Sequence, residues 1–151
     1  MNRRQFSGGV AASVAYYAAL RARRAAAEST APALKVYVFA DMEGVSGITH
    51  SGQTLSGGQD YRDACGLMAA DINACVAGCF DAGATCVVVR DGHGGGLNVD
   101  PKRIDPRARL IQGQTPGERF KDIDGSEALI LLGYHAKAGT PGAVLAHTYS
   151  S

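Results

Sequence analysis

Five side chains in this sequence combine metal-binding or proton-moving chemistry with a place where a strand would end. They are Asp41 and Glu43 in KVYVFADMEGVSG, His93 in TCVVVRDGHGGG, His135 in EALILLGYHAKAG and His147 in AVLAHTYS. Asp41 and Glu43 stand two apart, so an extended backbone turns both to one side. Two carboxylates held together repel, and one keeps its proton unless a cation sits between them. Adding His93 and His135 makes a mixed oxygen and nitrogen donor set, which suits zinc better than calcium or magnesium. Two carboxylates and two imidazoles come close to what a pair of ions needs, with one carboxylate as a bridge. His147, twelve residues after His135, can reach the same rim as an acid, a base or a nucleophile. Taken singly, each residue has a plainer role. An acid at a strand end commonly caps a helix or a turn, and a histidine in a glycine-rich loop is commonly just solvated. Their joint occurrence at three strand ends favours a site.

The elements that must position these residues follow from apolar periodicity. Residues 35–40 predict a strand, with β-branched and aromatic residues in alternation. Residues 50–58 form a Gly/Ser/Thr loop. A helix is expected over 61–82, with Met68, Ile72, Cys75, Val76, Cys79 and Phe80 on one face and Gly83 stopping it. Residues 85–90 (TCVVVR) are nearly continuous in β-branched residues, as in a strand buried on both faces. A loop, 91–96, follows. Residues 108–111 predict a short strand, 127–132 (EALILL) a further buried strand, and 143–148 the start of one more. Strand, helix, strand, loop, strand implies an α/β fold: a mostly parallel sheet with flanking helices, three-layered, and incomplete at its C-terminus. In such sheets the working site lies beyond the carboxyl ends of the strands, where Asp41, Glu43, His93 and His135 all fall.

The first residues read differently. Arg3-Arg4-Gln5-Phe6 precedes a mild apolar run, 8–20, too short to span a bilayer, then Arg21, Arg23, Arg24 and three alanines, 25–27. This resembles a twin-arginine (Tat) export signal with an Ala-x-Ala cleavage site. The expected organisation is a Tat-like signal over 1–27 and an α/β portion over 28–151, exported to the periplasm or outside the cell, with no stable membrane insertion after signal removal. Residues 1–27 hold five arginines and no acid. Of 15 Lys and Arg, ten then remain against 14 Asp and Glu, so the net charge moves from +1 to −4. That removes the basic footprint of a nucleic-acid binder. Cys65, Cys75, Cys79 and Cys86 lack Cys-x-x-Cys spacing, which argues against a zinc ribbon. Cys75 and Cys79, one helical turn apart, are expected to be core thiols.

FADMEG, VVVRDGH, LLGYHAKAGTPG and AHTYS, in this order, resemble the DppA-type D-aminopeptidases, dinuclear zinc enzymes that release N-terminal D-amino acids from short peptides. The resemblance runs from about residue 35 to the last residue. It implies Asp41, Glu43, His93 and His135 as zinc ligands for two zinc ions, and His147 as the catalytic histidine, assigned as nucleophile. It also implies a fifth ligand, a glutamate downstream of that histidine, and ring-shaped homo-oligomers at full length. Neither is supplied by the residues up to Ser151. The expectation is therefore an amino-terminal zinc-binding portion of a metal-dependent aminopeptidase acting on short peptides such as D-Ala peptides. The alternative is a truncated, non-catalytic zinc-binding remnant. A serine hydrolase is suggested by His93-Gly94-Gly95-Gly96, but Gly44-Val45-Ser46-Gly47-Ile48 misses Gly-x-Ser-x-Gly by one position. Gly92-His93-Gly94 is followed by Leu97 where a dinucleotide-binding Gly-x-Gly-x-x-Gly needs its third glycine.

Overall fold

Lys35–Ala40 forms strand β1, and its alternation does what a doubly buried strand requires. Val36, Val38 and Ala40 face one way into one cluster, Tyr37 and Phe39 face the other way into a second. The structure, a computed structural model, describes residues 16–21, 33–114 and 116–148. The chain divides into two compact units, residues 1–32 and 33–151. In the first, residues 16–21 are helical and exposed. The twin arginines and the alanine run of the expected export signal lie outside the described residues, as do residues 149–151.

The second unit is built on four parallel strands in the order β3-β2-β1-β4, with β2 Cys86–Asp91, β3 Arg109–Ile111 and β4 Ala128–Leu132. β1 is central and pairs with β2 from Lys35↔Cys86 to Ala40↔Asp91, and with β4 from Val36↔Ala128 to Ala40↔Leu132. Helix α1, Tyr61–Asp81, crosses from β1 to β2. Its Met68, Ile72 and Val76 pack with Val36, Val38, Val87 and Val89 on one face of the sheet. The helix ends as expected. Gly83 takes φ +98, Ala84 N–H donates to Cys79 O at 2.9 Å and Gly83 N–H to Phe80 O at 3.0 Å, the paired bonds of a Schellman cap. The opposite face carries Tyr37, Phe39, Val88 and Ile111, with Ile123 and Tyr134 packed against them. Among the described residues the cover on this face is the irregular segment 116–127 rather than a helix.

Two local expectations are corrected. EALILL was expected as a buried strand, yet β4 is an edge strand with Leu129 and Leu131 about half exposed. Among the described residues it pairs only with β1, so a run of apolar residues records one packed face here and not two. Residues 143–148 form no strand. Leu145 sits at φ +53, which breaks an extended path. The chain folds back, and His147 N–H donates to Ala136 O at 3.2 Å.

Candidate metal centre

β1 and β4 finish side by side, and their exits are tied together. Asp41 N–H donates to Leu132 O at 2.8 Å and Gly44 N–H to Gly133 O at 2.7 Å. Gly133 is at φ +66, and a Cβ there would collide with the Asp41 carbonyl oxygen, so only glycine lets the two strand ends approach this closely. Residues 41–43 leave extended geometry and turn. Met42 drops into the core, while Asp41 and Glu43, both buried, come to one place.

The sequence-predicted side chains converge there. His93 Nδ1 lies 3.1 Å from Asp41 Oδ1 and 3.2 Å from Glu43 Oε2. His135 Nε2 lies 3.5 Å from Asp41 Oδ2, and His147 Nε2 lies 3.9 Å from Glu43 Oε1. The rings of His135 and His147 stack with centroids 3.6 Å apart and 19° between planes. Each histidine also has one ring nitrogen on a backbone carbonyl: His93 Nε2 on Thr54 O at 2.7 Å, His135 Nδ1 on Ala136 O at 2.9 Å, His147 Nδ1 on Leu145 O at 2.8 Å. A carbonyl only accepts, so these nitrogens carry the hydrogen, and the other nitrogen of each ring is turned toward an acid.

His93 meets acceptors at both nitrogens, the arrangement of an imidazolium. Burial works against its charge, but the Asp41 and Glu43 carboxylates and the Thr54 carbonyl outweigh that, and its pKa rises to about 10. The proton is a countercharge for two buried acids. A divalent cation does the same job better, and the donor set fits one. Asp41, Glu43 and His93 offer ligand atoms all within 4.8 Å of one another. Glu43 Oε2 is buried, and His93 Nδ1 at 3.2 Å faces it. With the proton gone, His93 Nδ1 faces the acids while Nε2–H stays on Thr54, the carbonyl-anchored orientation typical of ligating histidines.

The loop that carries His93 is held by residues to which the sequence alone assigned no role. Asp91 is fully buried at the end of β2. It accepts from Asn98 N–H at 2.7 Å, Asn98 Nδ2 at 2.5 Å, Val99 N–H at 3.2 Å and Gln112 Nε2 at 3.3 Å. Asn98 Nδ2 also donates to the His93 carbonyl at 2.7 Å, and Tyr61 O–H donates to Asn98 Oδ1 at 2.6 Å. Asp91 thus looks like a ligand in sequence, next to Gly92-His93, but spends its oxygens on the loop. The only sequence signal was an acid at a strand end.

The centre opens on a cleft of about 1200 Å³, lined among others by Asp41, Glu43, His93, Tyr61, Arg119 and His147. The serine-hydrolase alternative finds no support: Ser46 is absent from the lining, and its N–H donates to Asp71 Oδ2 at 2.8 Å. The dinucleotide alternative fails as well, because a loop and not a helix follows Gly92.

Fold and site together define a class: a parallel α/β protein with a carboxylate–imidazole cluster able to hold a metal where the strand order reverses about β1. The D-aminopeptidase profile of the peptidase M55 family matches residues 34–151, and the chain belongs to that family. It is 35% identical over 117 residues to the D-aminopeptidase of Bacillus subtilis (strain 168), an alignment covering 76% of this chain and 42% of that protein. A solved structure, described as the Zn-dependent D-aminopeptidase DppA from Bacillus subtilis, a self-compartmentalizing protease, superposes with a TM-score of 0.74 at 34% identity. The match covers 78% of this chain and 43% of that one. The chain therefore spans less than half the length of these relatives.

Proposed function

We propose that this chain carries the zinc centre of an aminopeptidase that hydrolyses the N-terminal peptide bond of short peptides, with D-amino acids such as D-alanine at the amino end. The observation that supports it is the convergence of two buried carboxylates and three carbonyl-anchored imidazoles on one centre, which opens on a cleft through Asp41, Glu43, His93 and His147, in a member of this family. Asp41, Glu43, His93 and His135 would hold the metal, and Asp41 has a histidine facing each of its oxygens. When bound, zinc supplies Lewis-acid polarisation of the scissile carbonyl. His147 has its Nδ1 hydrogen committed to Leu145 O, which leaves the lone pair on Nε2. That ring is half exposed to the cleft, and Nε2 is the atom placed to attack or to carry a proton. Glu43 Oε1, 3.9 Å away, stabilises the positive charge the ring then gains. A self-compartmentalizing relative supports a homo-oligomer for the whole protein. The twin-arginine pattern supports export, to be checked by following the leader-dependent localisation of a reporter fusion.

The test is metal content by elemental mass spectrometry, alongside release of D-alanine from short D-alanyl peptides with zinc supplied. About two zincs per chain are expected if the four ligands suffice. His147→Ala should abolish hydrolysis and leave zinc content unchanged; loss of zinc in that variant would make the residue a ligand. Zinc without hydrolysis would leave a zinc-binding remnant, and no zinc in a folded chain would overturn the proposal.

A further inference from the structure

One buried charge is not used by the metal centre. Arg90 lies on β2 opposite Phe39 of β1, on the sheet face away from α1, and is only 4% exposed. Its Nε is buried with no hydrogen-bond partner. No carboxylate among the described residues pairs with it, whereas Arg107 and Arg109 each hold one. Its sequence neighbour Asp91 has its oxygens on Asn98, Val99 and Gln112. A guanidinium taken out of water with nothing to answer it is strongly unfavourable, so the position calls for an anion.

The space beside Arg90 can hold one. Arg90 lines a cavity of about 480 Å³ together with Phe39, Gln114 and Arg119. Arg119 lies over the Phe39 ring, 5.5 Å from its centroid, so two guanidiniums border the same space. Gly92, Gln114 and Arg119 line the main cleft as well, which makes the smaller cavity a side arm of the larger one.

We propose that this arm is an anion subsite that takes the C-terminal carboxylate of a short peptide whose amino end lies at the metal centre. The proposal rests on the aminopeptidase reading above. Arg90 precedes His93 by three residues, so their backbones lie at most about 11 Å apart. An extended peptide spans about 3.3–3.6 Å per residue. A tripeptide, about 10–11 Å when extended, therefore covers the greatest separation the chain allows. Arg90 would fix the cleft's preference for short free acids.

The experiment compares hydrolysis of tri-D-alanine and its C-terminal amide by the full chain with zinc. The free acid should be favoured about tenfold or more in kcat/KM, through KM, from one charge-assisted contact. Arg90→Met should erase the preference, and Arg90→Lys should restore part of it. Equal rates for acid and amide in the unmodified chain, or an unchanged preference in Arg90→Met, overturn the proposal. Thermal unfolding gives an independent arm. Acetate and tri-D-alanine should raise the Tm of the unmodified chain, the amide should raise it less than the free acid, and Arg90→Met should lose the acetate response and the difference between acid and amide. Without ligand, Arg90→Met should melt no lower than the parent, since an uncompensated charge is removed; a marked fall makes Arg90 purely structural and overturns the proposal. Should neither peptide be hydrolysed, the aminopeptidase reading falls, and the unfolding response alone decides the subsite: an acetate effect lost in Arg90→Met sustains it, and no effect overturns it.

Discussion

Asp91→Ala is the most informative single change outside the ligand set. The carboxylate answers two backbone N–H groups and the Asn98 amide in a buried setting, and Gln112 in a partly wet one. Water can replace the acceptor for Gln112 but reaches the other three with difficulty. Each orphaned buried donor costs about 1–3 kcal/mol, so three set a range of roughly 3–9 kcal/mol. Relaxation of the loop and the remaining bond from Asn98 to the His93 carbonyl reduce this, and a loss of about 3–5 kcal/mol is expected. For a unit of this size that lowers Tm by 10 °C or more, at about 3–4 °C per kcal/mol. Asp91→Asn keeps the shape and one acceptor but points an amide N–H at a donor, so it should fall between. Urea unfolding followed by far-UV circular dichroism reads the loss directly. It should be run with a chelator present, because a metal bound only by the folded state masks a local defect. Asn98→Ala completes a double-mutant cycle, and the two single losses should exceed the double loss by at least about 1 kcal/mol. A loss below about 1 kcal/mol for Asp91→Ala, or strict additivity with Asn98→Ala, would falsify the reasoning that this carboxylate holds the His93 loop.

The raised pKa of His93, about 10, implies a pH dependence with a definite sign in metal-free protein. Its folded value lies above the ordinary 6.5, so its stabilisation is complete below about pH 6.5 and is lost as pH rises through about 10. Chelated protein should lose stability to urea steadily across that window, and a flat profile refutes the imidazolium assignment. Zinc must take that proton's place, so binding at pH 8 in a weakly buffered solution should release about one proton from His93; calorimetry in buffers of different ionisation heat counts it. Gly133→Ala combines positive φ with a collision against the Asp41 carbonyl. It should lower stability by about 2 kcal/mol or more and weaken zinc retention with it, and a neutral result in both assays shows that the strand ends can part without harm.

Much of this was legible from residue types and spacing. β1, α1 and β2 could be placed because their apolar periods are long and unambiguous, and Gly83 stops the helix where an αL residue was needed. Strand-end placement alone pointed to Asp41, Glu43, His93 and His135 as neighbours, because parallel strands in one sheet share a rim. His147 was harder. Its segment reads as strand-like, and Leu145 at positive φ sends it back toward Ala136 instead. The exposure of β4 was equally hidden, since EALILL reads alike in a central strand and at an edge.

What sequence determined by itself, then, was the set of chemical groups and the strands that carry them. Tertiary structure decided how each group is used. Asp41 and Asp91 are both acids at strand ends, yet one faces two histidines and the other holds a loop. Arg90 sits in a β-branched strand like a surface residue and is buried without a partner. The difference lies in contacts between residues far apart in the chain: Asp91 with Gln112, His93 with Thr54, His135 with His147. A buried polar group must find its partner wherever the fold supplies one, and local periodicity carries no record of where that is.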